Sequence, residues 1–134
     1  MRISSIAMFL TAIIYATSLA GAAAQAPKGG NPEAAKLKNP VEKTPESIAA
    51  GRKVYQRLCI RCHGQEGKGD GGAAGAVPPS DLTDSTWDHG SSDGEIFTTI
   101  HDGTSADMEG YAQRISDTDI WNVVNYIRTL GAPK

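Results

Sequence analysis

The five residues Cys59-Ile60-Arg61-Cys62-His63 constrain this chain more than any other stretch of it. The sequence holds two cysteines and three histidines, and both cysteines and one histidine fall inside this segment. A three-residue step on a helical turn puts two side chains on the same side of the backbone. Two thiols so placed can add across the two vinyl groups of one porphyrin, and Cys-x-x-Cys-His is the attachment pattern of c-type haem. The next residue then sits under the metal and offers it an imidazole nitrogen. Cys59 and Cys62 are therefore the candidate attachment points and His63 a candidate iron ligand. Three other uses of the pair stand beside this one. A thioredoxin-like redox motif needs a βαβ context, and no strand-rich pattern surrounds it. A zinc site needs four ligands, and no second cysteine pair or histidine cluster supplies the rest. A plain disulfide across so short a loop is a poor staple.

The N-terminus indicates the compartment. Arg2 is the only charge before Lys28, and the run from Ile6 to Leu19 is apolar. Ala22-Ala23-Ala24 follows, a small-x-small pattern ahead of Gln25. Residues 1–24 read as an export signal cleaved after Ala24, which gives a periplasmic location. The alternative is an uncleaved anchor, since no residue from Ile3 to Ala24 is charged and the stretch could span a bilayer. Its last third is Ala, Gly and Ser, weakly hydrophobic, which favours cleavage. Export suits the cysteine pair, because covalent haem attachment takes place outside the cytoplasmic membrane. Residues 25–43, rich in Ala, Pro, Gly, Lys and Asn without apolar periodicity, read as a flexible linker or tail. Residues 44–134 form one domain. It is small for a self-sufficient core, and a covalently tied haem would add an apolar centre.

End signals place three helices and no strands, an all-α pattern. The first starts with Thr44 as N-cap and Pro45 in the first turn. Its apolar face is Ile48, Val54, Tyr55 and Leu58, and it runs into the Cys59 motif. The second opens with Ser92-Asp93-Gly94-Glu95, a capping-box pattern, continues through Ile96, Phe97 and Ile100, and stops at Gly103. The third opens at Ser116; Ile120, Val123, Val124, Ile127 and Leu130 recur at helical spacing, with Trp121 and Tyr126 on the flanks. Gly131 and Pro133 end it. Between the first two lies a glycine-rich stretch, 64–79. A loop of that length needs something to organise it, and a haem edge would serve.

Past residue 24, Met108 is the only methionine, 45 residues beyond His63, in the polar loop Gly103–Tyr111. A thioether is soft, favours Fe(II), and closes the coordination sphere of a haem iron. A lone methionine is more often core filler, but a polar loop is a poor place for filler. Met108 is thus the candidate sixth ligand. His101, at the end of the second helix, reads as a dipole partner, and His89, in a polar turn, as solvated; both are rivals for the iron.

The chain resembles a class I, single-haem cytochrome c of bacterial type. The likeness covers Thr44 to Leu130. It rests on Gly51-x-x-x-Tyr55, Cys59-Ile60-Arg61-Cys62-His63-Gly64, the proline pair Pro78-Pro79 after the glycine loop, Met108, and the closing Asp119-Ile120-Trp121-Asn122-Val123-Val124-Asn125-Tyr126-Ile127. It implies an all-α fold of three or more helices and long loops wrapped around one covalently bound haem c and its iron. It implies that the first and last helices cross at Gly51, with Tyr126 packed against it. It further implies that a carbonyl of Pro78 or Pro79 accepts the proximal imidazole N–H, and that Trp87 either donates to a haem propionate or packs in the core. One departure is Glu109, where many relatives have proline after the ligand methionine.

With both axial positions filled, no open iron site remains for catalysis, and no nucleophilic triad or paired-carboxylate arrangement stands out. One-electron exchange is the chemistry left, with no enzymatic activity of the chain's own. The expected partners are redox proteins: a donor dehydrogenase or bc-type complex, and an acceptor oxidase. No nucleic acid is expected, a membrane only if residues 1–24 stay attached, and the chain acts as a monomer or as a subunit of a larger complex. An open sixth site, binding gas or acting as an enzyme, is the alternative; a haem-free thiol or metal protein is another. Charge is unevenly spread. From Gln25 to Lys68 there are nine basic residues against four acidic, and from Gly69 to Asp119 eleven acidic against one basic, Arg114. The acids include Asp102, Asp107 and Glu109 around Met108, so partners are expected to present a basic or weakly charged surface in a small, transient contact.

Overall fold

Among the described residues, polar capping starts three of the four α-helices. Thr44 is extended and its hydroxyl accepts from the Ser47 N–H, so α1 (Pro45–Leu58) begins with Pro45 where a missing N–H costs nothing. Ser92 and Glu95 close the reciprocal capping box of α3 (Asp93–Asp102), and Ser116 caps α4 (Asp117–Ile127) through the Asp119 N–H. The remaining helix, α2 (Ile60–His63), is a single turn. The computed structural model describes residues 29–131 other than Ala74 and Ala76; the expected export signal, 1–24, lies outside them. Among the described residues there is no strand, only an isolated antiparallel bridge between Gly103 and Glu109.

The core is the crossing of α1 and α4. Tyr55, Ile120, Val123 and Val124 are fully buried there, joined by Val54, Ile127, Leu82, Ile96, Ile100 and Trp121. Full burial of one such aliphatic side chain contributes about 1.5–3 kcal/mol. Gly51 lets the two backbones touch: a Cβ built there would stand 2.9 Å from the Val123 nitrogen and closer still to the Asn122 carbonyl oxygen. The resemblance put Tyr126 against Gly51. The Tyr126 ring lies 5.2 Å from that of Tyr55, one turn on from Gly51, and the backbone of Asn122 stands nearest Gly51 itself. Two further details differ from the periodicity. Helix α4 ends at Ile127, with Leu130 in the turn that follows. Ser47 is buried where Ile48 is only partly covered.

Ser47 belongs to a polar network within this core. Its hydroxyl donates to Asn122 Oδ1 at 2.7 Å and accepts from Asn125 Nδ2 at 2.8 Å. Asn39 Nδ2 in turn donates to Asn125 Oδ1 at 2.9 Å. Composition over 25–43 predicts a flexible linker, but its described part, 29–43, lies against the helices. Ala34, in a short 3-10 turn (Ala34–Lys36), is buried with its carbonyl against Gly94. The Asn31 N–H donates to Glu95 Oε1 at 2.9 Å, and the Gly29 N–H to the Asp88 carbonyl at 2.8 Å. A strap held by single polar contacts to distant residues leaves no periodic trace in its own sequence.

Candidate functional site

The cysteine motif is built by interrupting a helix. Cys59 caps α1, its N–H donating to the Tyr55 carbonyl, and its own carbonyl then accepts from both Cys62 and His63 at 3.2 and 2.9 Å. Helix α1 runs into the motif as the sequence pattern expects; the chain breaks at Cys59 and restarts at Ile60. The result is one tight turn carrying Cys59, Cys62 and His63. Its last carbonyls have no helical partners, and the glycine-rich stretch supplies them. Gly69, Gly71 and Ala73 donate in turn to the carbonyls of His63, Cys62 and Arg61, at 2.9, 3.0 and 2.8 Å. Backbone bonding to α2 thus organises a loop that the sequence left to a haem edge. Tyr55 secures the exit, its buried hydroxyl donating to the Gly64 carbonyl at 2.9 Å.

Both cysteines are half-buried, and they form no disulfide with each other. Burial, and then the neighbouring Cys62, push the Cys59 thiol up to about 12. A thioredoxin-like motif requires the opposite shift, toward a reactive thiolate. No group of three or more His, Cys, Asp or Glu gathers into a cluster among the described residues.

Burial holds the His63 imidazole below its ordinary pKa, so at neutral pH the ring is neutral and free to ligate a metal; the Ser80 backbone acts in the opposite direction. His63 Nδ1 is nevertheless buried with no hydrogen-bond partner. The expected bond to Pro78 or Pro79 is not made. The Pro79 carbonyl lies against Gly69, and Ser80 is the residue whose backbone faces the ring. Leaving a buried polar atom unpaired costs about 1–3 kcal/mol. Such a ring fits a haem site, in which the imidazole has a ligating role that orients it.

Met108 stands on a pinched loop. The Thr104 N–H donates to the Met108 carbonyl at 2.9 Å, and the Met108 N–H to Ser105 Oγ at 3.3 Å. Gly103, at φ +80°, and Gly110 bring the two ends together: a Cβ on Gly103 would stand 2.5 Å from the Gly110 nitrogen. The loop is closed by these contacts without the proline that Glu109 replaces. Met108 is half-buried and packs against the core beside Tyr111, whose hydroxyl reaches the Leu58 carbonyl at 3.3 Å. Tyr111 thereby ties the methionine loop to the end of α1, a link the sequence did not reveal.

The rival histidine His101 is engaged elsewhere. Nδ1 lies 2.5 Å from Asp102, Nε2 3.6 Å from Asp117, and the ring stacks on Phe97. Phe97 stacks in turn on Trp121 at 4.1 Å, so Trp121 is a core residue, not a flank. Trp87 Nε1 donates to the Asp84 carbonyl at 3.3 Å, and the guanidinium of Arg128 lies 6.0 Å from its ring. Arg128 also bonds Asp93 at 2.7 Å, fastening the end of α4 to the start of α3.

The family model for cytochrome C oxidase, cbb3-type, subunit III matches residues 46–127. The chain belongs to that family. It is a c-type cytochrome of the class I monohaem fold, and membership carries a covalently bound haem c with its iron. Among curated relatives, the cbb3-type cytochrome c oxidase subunit FixP of Bradyrhizobium sp. (strain ORS 278) is 33% identical over 86 residues, 64% of this chain and 28% of that protein. The cbb3-type cytochrome c oxidase subunit CcoP of Rubrivivax gelatinosus is 32% identical over 93 residues, 68% of this chain and 29% of that protein. The chain therefore spans under a third of the length of these relatives. Among solved structures, the reducing HAO-like protein complex of Kuenenia stuttgartiensis superposes with a TM-score of 0.65 at 29% identity, over 73% of this chain and 49% of that one. Cytochrome cL of Hyphomicrobium denitrificans gives 0.58 at 23% identity, over 72% and 54%, a likeness of fold.

Proposed function

We propose that this cytochrome carries single electrons in the periplasm between a donor dehydrogenase or bc-type complex and an acceptor oxidase. Its haem would be joined through Cys59 and Cys62, with His63 and Met108 holding the iron. The observation that carries the reading is the Tyr111 hydroxyl on the Leu58 carbonyl, at 3.3 Å, which ties a residue three past Met108 to the residue just before Cys59. Bound there, the haem supplies a reversible one-electron couple. The chain's own residues do the rest. Cys59 and Cys62 fix the porphyrin against loss. The neutral His63 ring offers a nitrogen, with the Ser80 backbone on its other side. The Met108 thioether favours the reduced state and blocks small ligands. The closed loop 103–110 holds the sulfur in place. Export by residues 1–24 would put the chain where haem is attached.

Redox titration of the purified protein with optical detection tests this. The reading expects one reversible one-electron wave and a thioether–iron charge-transfer band that Met108→Ala removes. Carbon monoxide binding by the reduced wild-type protein at neutral pH would point to an open sixth site and contradict it.

A second reading has a specific observation behind it. The family and both relatives are named as oxidase subunits, and this chain spans under a third of them. In that reading it is a haem subunit tethered to a larger oxidase or dehydrogenase. No helix among the described residues is long and apolar enough to cross a membrane; residues 1–24, left uncleaved, would supply one tether. The mass of the mature chain, with or without residues 1–24, separates a free carrier from an anchored one.

A further inference from the structure

We propose that the outward face of α1, continued onto α2, is the docking surface for an acidic redox protein. The inference rests on the haem-carrier reading and names one partner's chemistry. Arg52, Lys53 and Arg57 are exposed on α1, and Arg61 is exposed on α2. Lys53, Arg57 and Arg61 follow at four-residue steps, and Cys59 between the helices keeps right-handed helical angles, so the row carries across the break. None of the four side chains makes an ion pair or hydrogen bond among the described residues. Four other cations are occupied: Lys36 by Glu33, Lys68 by Glu66, Arg128 by Asp93, and Arg114 over the Tyr111 ring. Of the unpaired cations among the described residues, only Lys38 and Lys43 of the strap lie off α1 and α2, and Lys53, Arg57 and Arg61 form one row.

That face leads to the attachment turn, since Arg61 stands between the two cysteines. The methionine loop borders the same stretch from the other side. The Ala73 N–H is bonded to the Arg61 carbonyl at 2.8 Å, and two residues on, a Cβ at Gly75 would stand 2.5 Å from the Asp107 carboxylate. Asp107 and Glu109 are both exposed. The rim of the attachment site therefore has a cationic edge and an anionic edge. The charge count along the sequence showed a basic excess over residues 25–68 as well, but the expected partner, basic or weakly charged, was taken from the acidic loop alone. A carrier meets a donor and an acceptor in turn, and edges of opposite sign suit two partners of opposite charge. An anionic bilayer is a poorer fit to the row than an acidic protein. A lipid surface extends past the row and meets the repulsion of Asp107 and Glu109, whereas a protein can confine its acids to a patch.

The test uses the isotopically labelled haem protein. Hexacyanochromate(III), a paramagnetic trianion, reports by line broadening where anions settle, and poly-L-glutamate serves as an acidic polypeptide. Broadening is expected to be strongest at amides 52–61 and weak at 103–110. Poly-L-glutamate affinity at low salt is expected to fall about tenfold in Arg57→Glu/Arg61→Glu. It is expected to fall less in Arg57→Gln/Arg61→Gln, and not at all in Asp107→Asn/Glu109→Gln. Broadening centred elsewhere, or an unchanged affinity in the charge-reversed variant, overturns the proposal. So does binding to phosphatidylglycerol vesicles that is tighter than to poly-L-glutamate and lost in the same variant, which would make the row a lipid contact. The optical spectrum of each sample is read alongside. Missing haem or a missing methionine band there counts against the carrier reading, while the location of anion binding judges the docking face independently.

Discussion

Replacing Gly51 by alanine adds one methyl group at the α1–α4 crossing. At an exposed helix position that change would stabilise, because alanine is preferred over glycine by about 0.8–1.0 kcal/mol. Gly51 is buried, and the new carbon would stand 2.9 Å from the Val123 nitrogen and nearer still to the Asn122 carbonyl oxygen. Both are backbone atoms of a helix and cannot swing aside as a side-chain tip would. The helices must separate, loosening Tyr55, Val123 and Val124 together. Overpacking of this kind costs about 1–3 kcal/mol. With no flexible neighbour to yield, the upper end applies, and subtracting the propensity gain leaves a net loss of about 2 kcal/mol. For a domain of this size that is a fall in Tm of roughly 8–16 °C. Thermal unfolding of the haem protein followed by far-ultraviolet circular dichroism measures it. An unchanged or raised Tm would refute the close crossing on which the core depends.

Asn125→Ala removes the centre of the polar network joining Ser47, Asn39 and the Val41 carbonyl; urea unfolding should show a loss of about 2–3 kcal/mol at unchanged slope. The Glu95 carboxyl lies below its ordinary value chiefly because the Ser92 backbone bonds its charged form; the Ser92 hydroxyl and the Asn31 and Ser91 backbones add to this, and together they outweigh the opposing effect of burial. Its contribution is therefore full above the unfolded value near 4.5 and is lost as pH falls through the lower folded value, so Glu95→Gln should flatten the acid side of a Tm–pH profile. Neutralising Asp107 and Glu109 should reduce the salt dependence of electron transfer from a cationic donor such as hexaammineruthenium(II); an identical salt slope would exclude the methionine-loop edge as a contact.

The parts legible in the sequence were those fixed by near neighbours. Thr44 with Pro45, Ser92 with Glu95, and Ser116 act within a single turn, so the helix starts could be read directly. Cys59, Cys62 and His63 are singled out by their spacing and Met108 by its polar loop, and their roles toward haem are a proposal. What could not be read depends on contacts between distant residues. The strap 29–43 is held by Asn39 on Asn125 and Asn31 on Glu95, 86 and 64 positions apart. No local pattern distinguishes such asparagines from solvated ones. The residue facing His63 is Ser80 and not the adjacent proline, a difference set by how the loop pairs with the α2 carbonyls. Likewise the cationic row and the acidic loop share a rim only because the glycine loop brings Arg61 and Asp107 to the same stretch.

The most direct measurement of the central claim is the intact mass of the chain produced in a host that attaches haem. The account predicts a polypeptide heavier by one haem after denaturation, with the added mass gone in Cys59→Ala/Cys62→Ala. A wild-type chain carrying no mass beyond its amino acids would contradict it.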